Sequence, residues 1–230
     1  TTAIGTESLA ALTSGAGNLA IGYQAGDALT TGVRNIAIGY TAFSTSINSS
    51  GDNVAIGYNA MNGTGTTAAS EKNVAIGNYT MNGNQNDSDN NVAVGYRALN
   101  GLTTGEGTVA VGYEAGKAIT TAERNTFVGR IAGTAIDTGN YNVAVGGSAI
   151  GTATNALRNT AVGYNAMADV DDGDAVDGCV AVGYGALMGN ASNTTAIDGT
   201  IAVGYNSLAA LTTGAGNIAI GYQAADAMTT

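Results

Sequence analysis

The chain has 230 residues, of which 10% are charged and 36 are glycine, with no Pro, Trp or His and one Cys. Without histidine it lacks the commonest metal ligand and acid-base group, and Cys179 alone closes no intrachain disulfide. A net charge of −10, with seven Lys and Arg scattered singly, offers no track for a phosphate backbone and argues against nucleic acid; no apolar run is long enough for membrane insertion as a helix.

From Thr1 onward a unit close to Asn-Val-Ala-Ile-Gly-Tyr recurs thirteen times. Its glycines, Gly5, Gly22, Gly39, Gly57, Gly77, Gly95, Gly112, Gly129, Gly146, Gly163, Gly183, Gly204 and Gly221, are spaced by 17 to 21 residues. Such a period predicts one small unit stacked on itself over residues 1–230, a single repetitive segment. The repeat is too short for a helix pair with two turns, and its centre is β-branched. The expected fold is therefore all-β, a parallel β-solenoid (a β-roll) of about 13 short coils.

With each glycine as position zero, the residue before it is Ile or Val in all thirteen copies, and position −3 is Val, Ile, Leu or Thr. These two point the same way in a strand. Position −2 is Ala twelve times and Phe127 once. An open strand face would vary among polar residues, so the pattern predicts a strand covered on both sides. The β-branched side is expected inside its own coil and the small Ala side against a close neighbour.

Position −4 is Asn in nine copies: Asn18, Asn35, Asn53, Asn73, Asn91, Asn125, Asn142, Asn159 and Asn217. An amide both donates and accepts, so stacked Asn can bond one another or the turn backbone. Cys179 holds this place in its own copy and is expected to be a buried replacement. Position +1 is Tyr in nine copies, which predicts a tyrosine ladder, and an aliphatic at +7 of the shorter copies predicts a second short strand or turn edge. The extra residues of the longer copies fall at 62–72, 82–90, 168–178 and 188–199, always between +4 and the next −4. The chain starts and stops inside a repeat, and 207–230 nearly duplicates 8–31, so a fragment of a longer fibre is expected.

The run Asn-Val-Ala-Ile-Gly at 53–57 and 73–77 resembles the head repeat of trimeric autotransporter adhesins of the YadA type. The fuller Gly-Tyr-x-Ala-Leu with Thr-Thr-Gly resembles repeats of phage tail fibres and bacterial surface fibres. The resemblance spans essentially the whole chain, although its period exceeds that of the adhesin head repeat. It implies a left-handed roll, a homotrimer, and an extracellular place on a virion or cell surface; the open strand edges of a stacked segment are separately expected to let it join end to end. A host-surface glycan or protein would then be engaged through loops or a tip outside this chain.

Asp169, Asp171, Asp172 and Asp174 form an acidic insert that resembles a calcium loop but misses the EF-hand spacing, leaving a solvated loop or an irregular Ca2+ cage. No catalytic constellation and no cofactor motif is legible, so the expectation is a structural protein rather than an enzyme. Two alternatives are an ice-binding surface built on Thr pairs such as Thr30-Thr31 and Thr103-Thr104, and direct glycan binding by the acidic loops or the Tyr ladder.

Overall fold

The computed structural model describes residues 1–45, 50–63, 69–170, 176–189, 194 and 196–230. They divide into two compact units, the first made of Thr1–Glu114 with Ile119–Thr121 and the second of Ala115–Ala118 with Ala122–Thr230. The first unit carries β1 (Thr2–Ile4), β2 (Leu19–Ile21), β3 (Ile36–Ile38), β4 (Val54–Ile56), β5 (Val74–Ile76), β6 (Val92–Val94) and β7 (Val109–Val111). The second carries β8 (Thr126–Val128), β9 (Val143–Val145), β10 (Thr160–Val162), β11 (Val180–Val182), β12 (Ile201–Val203) and β13 (Ile218–Ile220). In each unit the strands pair in parallel in chain order with equal repeat positions opposite one another, as in Ala20 with Ala37 and Ala37 with Ala55. The fold is a parallel β-solenoid, with no helix among the described residues.

Each strand is three residues long: it ends at a glycine with the wrong backbone sign for a strand, and from β2 onward a residue of positive φ also stands two before its start, as at Arg34 and Asp52. Position zero sits at φ between +128° and +142° in the thirteen copies, a region open essentially to Gly. A Cβ on Gly57 would meet the carbonyl oxygen of Gly77 at 2.5 Å, and one on Gly163 would collide with that of Gly183. The glycine is thus required twice, by its dihedral and by the backbone stacked on it.

Positions +2 and +4 are left-handed in all thirteen copies, at residues as unlikely as Ile131 (φ 53°), Phe43 (φ 54°) and Ile150 (φ 48°). Such conformations cost about 1–2 kcal/mol each outside glycine. They persist because the neighbouring coil holds the same peptides. The N–H of Thr41 donates to the carbonyl of Tyr23 at 2.9 Å, and that of Phe43 to the carbonyl of Ala60 at 2.8 Å. The expected second strand at +7 is therefore a turn edge, since left-handed residues at +2 and +4 interrupt any extended run.

The core corrects the expected facing of the strand. The Ala of position −2, from Ala20 to Ala202, is fully or almost fully buried inside its own coil, while the Ile and Val at −3 and −1 lie on the outside, half-buried or exposed. The interior has room for only a methyl there, because large side chains at +4 or +7 fill it, among them Leu29, Met61, Leu99, Ile119 and Met167. Phe127 is the one departure at position −2 and also points inward. Where it replaces Ala, position +4 is Gly133, and a Cβ on Gly133 would lie 2.6 Å from the Phe127 ring. Spacings of 20 and 21 residues leave the strand register intact, as between β4 and β5 and between β11 and β12.

Candidate functional site

Two outward surfaces stand out, and each arises from the stacking of one repeat position. The first is the strand face. None of the residues at −3 and −1 is buried, none carries a charge, and apart from Thr2, Thr126 and Thr160 all are Ile, Val or Leu. Ile76 and Val128 are each 38% exposed. Over the six strand steps of the first unit, about 4.8 Å each, a face about 10 Å wide amounts to roughly 300 Å2. That is within the range of the largest apolar patch on an ordinary monomer, about 300–600 Å2, which is often functional; what sets this one apart is its repetition at the same two positions of every coil.

The second surface begins past the glycine bend. In the first unit the rings of Tyr23, Tyr40, Tyr58, Tyr79, Tyr96 and Tyr113 follow one another at centroid separations of 5.0 to 6.0 Å. In the second, Tyr164, Tyr184, Tyr205 and Tyr222 stack at 5.2 to 5.6 Å with planes within 19°. Tyr79 stands at +2, not +1, and continues the ladder edge-on where Asn78 leaves a gap. Its ring, with that of Tyr96, also lies beside the Arg97 guanidinium. In the stacked pairs, neighbouring rings cover one another's faces, leaving the edges to solvent.

At the other end of each strand, just before its first residue, runs the asparagine ladder. The side-chain oxygen of Asn35 accepts both the backbone N–H of Asn53 at 3.0 Å and its amide at 3.1 Å. The Asn53 amide also donates to the carbonyl of Ser70 at 2.8 Å. The same triplet recurs at Asn73 and at Asn142. Asn91 passes its oxygen to the backbone of Thr108, and Asn125, Asn159 and Asn217 each bond a turn carbonyl. These side chains are buried, apart from half-buried Asn217, and each supplies partners to backbone groups that would otherwise be orphaned.

The backbone N–H of Cys179 donates to the side-chain oxygen of Asn159 at 2.8 Å, and its thiol donates to the carbonyl of Ile197 at 3.1 Å. It offers nothing to the next rung, where the hydroxyl oxygen of Thr200 is buried with no hydrogen-bond partner among the described residues. Burial pushes the Cys179 thiol up to about 11, so it is a protonated filler and not a nucleophile at neutral pH.

At the coil corner Arg34 grips Asp52 through two bonds of 2.5 and 2.7 Å. Arg158 does the same for Asp177. The guanidinium hydrogen bonds hold both carboxyls below the ordinary carboxylate range.

Of the acidic candidates, Asp169 is half-buried with its N–H bonded to the carbonyl of Met188, while Asp171, Asp172 and Asp174 lie outside the described residues. Among the described residues no three metal-ligating side chains gather. The Thr ranks are tied into the coils: Thr13, Thr103 and Thr212 donate their hydroxyls to carbonyls of the next coil at 2.7 to 2.9 Å. No described helix is long and apolar enough to cross a membrane.

The left-handed +2 and +4 positions were not legible at any single copy. The signal lies in comparing copies, since Asn59, Asn165 and Asn206 stand at +2 and Gly26, Gly116 and Gly133 at +4. These are the residues that tolerate such conformations. Compared with known protein families, curated proteins and solved structures, the chain matches none.

Proposed function

We propose that this chain is a structural segment, shaft or head, of an extracellular homotrimeric fibre that attaches a virion or cell to a host or surface. The observation that carries the reading is the outward Ile and Val face. Leaving β-branched residues in water on every coil is unfavourable by about 25 cal/mol per Å2, and the register repeats that cost without one polar relief except Thr2, Thr126 and Thr160. A second copy fits the face because it brings apolar ranks at the same coil spacing. It also explains the absence of charge there in a chain whose net charge of −10 would otherwise hold copies apart.

The count of three, the left-handed winding and the attachment role rest on the resemblance to YadA-type head repeats and fibre repeats. In this reading the coils contribute stiffness: each peptide is bonded to its neighbours, and the interlocked Ala, Leu and Met layers resist local opening. A host glycan or protein is engaged at loops or at a tip outside this chain.

Sedimentation equilibrium on the chain tests the assembly. A trimer is expected, and Val94→Lys with Val111→Lys should release monomers that keep the β circular dichroism. A monodisperse wild-type monomer refutes the assembly. Attachment is tested separately by displaying the chain with its parent fibre on beads and measuring retention on host cells.

A further inference from the structure

We infer that the stacked tyrosines are a site of oxidative cross-linking, at which neighbouring coils are joined by dityrosine bonds. Three observations carry this. The rings are brought together by the register itself, with Tyr23 and Tyr40 at 5.0 Å and Tyr184 and Tyr205 at 5.2 Å between centroids. They are open to small oxidants, with Tyr40 51% and Tyr184 48% exposed. A disulfide cannot brace the coils instead, since the one cysteine of the chain is buried and protonated.

In the stacked pairs neighbours cover the ring faces, so a flat ligand or a sugar cannot stack between them. What each ring presents outward is its edge, which carries the phenol and the carbons ortho to it. The reaction needs a one-electron oxidant, here hydrogen peroxide acting through a haem peroxidase. Each of two phenols gives up one electron and one proton, and the two phenoxyl radicals join ortho carbon to ortho carbon. The two ortho hydrogens then move to oxygen to restore both phenols. One peroxide becomes two waters, and the pair of tyrosines loses two hydrogens in all. The requirement that two radicals meet before either is quenched is met by ladder geometry, where each ring has a partner in the adjacent coil.

Tyr141 is the internal comparison. It is 52% exposed, as open as the ladder residues, but it belongs to a coil corner, where its ring lies beside Arg124 and not on the ladder. Treating the purified chain with haem peroxidase and limiting peroxide should raise dityrosine fluorescence. The intact mass should fall by two hydrogens per link while the chain still runs as a single chain on a denaturing gel.

Peptide mapping should join Tyr40 to Tyr23 or Tyr58 and Tyr184 to Tyr164 or Tyr205, with Tyr141 absent. Tyr40→Phe should erase the first set and spare the second, and Tyr184→Phe the reverse. The urea midpoint of the linked chain should rise. No links, links only between chains, links at Tyr141 in proportion to its exposure, or an unchanged midpoint would each overturn the proposal. None of these outcomes depends on whether three copies assemble.

Discussion

Replacing Cys179 by Asn should stabilise the solenoid, because it mends the one rung at which the asparagine ladder meets a side chain that cannot accept. In the Asn159 rung the amide donates to the carbonyl of Val176 at 2.7 Å and to the oxygen of Asn142 at 3.3 Å. An Asn at 179 would repeat this with Ile197 and Asn159, and would turn its own oxygen toward Thr200. There the N–H now makes a 3.2 Å bond to Ile197, and the hydroxyl is orphaned. One added buried hydrogen bond contributes about 1 kcal/mol, and relief of an orphaned polar group about 1–3 kcal/mol. Since fitting the larger amide offsets part of this, the net gain should be about 1–2 kcal/mol. Urea unfolding followed by circular dichroism would show a raised midpoint with an unchanged slope.

A double-mutant cycle with Thr200→Val separates the mechanism from a general improvement in packing. The gain should shrink by about 0.5 kcal/mol or more when the hydroxyl is gone. A loss of stability, or an identical gain in the Thr200→Val background, would refute the reasoning. The alkaline limb gives a second check. Below the ordinary thiol value of 9.0 the group is neutral in both states. Between there and about 11 only the unfolded chain ionises, so stability falls as pH rises through that window. The Asn variant should lose this component of the decline.

Gly57→Ala should cost about 3 kcal/mol, the sum of dihedral strain and overpacking against Gly77. Gly178→Ala, with φ +67° and nothing within 4 Å of its Cβ, should cost only about 1 kcal/mol in the same urea assay. Ile131→Asn should gain about 1 kcal/mol by putting a tolerant residue at φ 53°; a lowered midpoint would show that the packing of the Ile outweighs its backbone strain. Because Arg34 and Arg158 hold Asp52 and Asp177 below 3.8, their contribution is complete above that value and disappears as pH falls through the lowered values. Asp52→Asn with Asp177→Asn should therefore flatten the acid limb of a melting-temperature profile; an unchanged limb would mean that these exposed pairs contribute nothing measurable.

The repeat and its strand were readable because they depend on local rules. Ile or Val before Gly in every copy is a period-2 signal with a breaker, and counting copies is enough to reveal stacking. The asparagines were readable for a similar reason, since a donor-acceptor side chain at a constant place in a stacked unit meets itself. Position −2 was misread for a physical cause. A constant small residue records that space is short, but it does not say on which side. Here the coil interior is the tight side, since the Ala methyls lie buried among the Leu, Ile and Met side chains of +4 and +7. The left-handed residues were hidden because Phe43, Met61 and Ile131 have no local preference for such backbone, and only the bonds from the next coil hold them there.

By itself, then, the sequence determined the unit, its parallel stacking in register, and the places of Gly, Asn and Tyr, all of which follow from one short pattern repeated at a nearly constant interval. The tertiary structure decided which face of the strand is buried, where the chain turns and where Tyr79 enters the ladder. Those outcomes depend on how much volume a closed coil leaves inside and on hydrogen bonds from a coil seventeen or more residues away, quantities that no window of sequence contains.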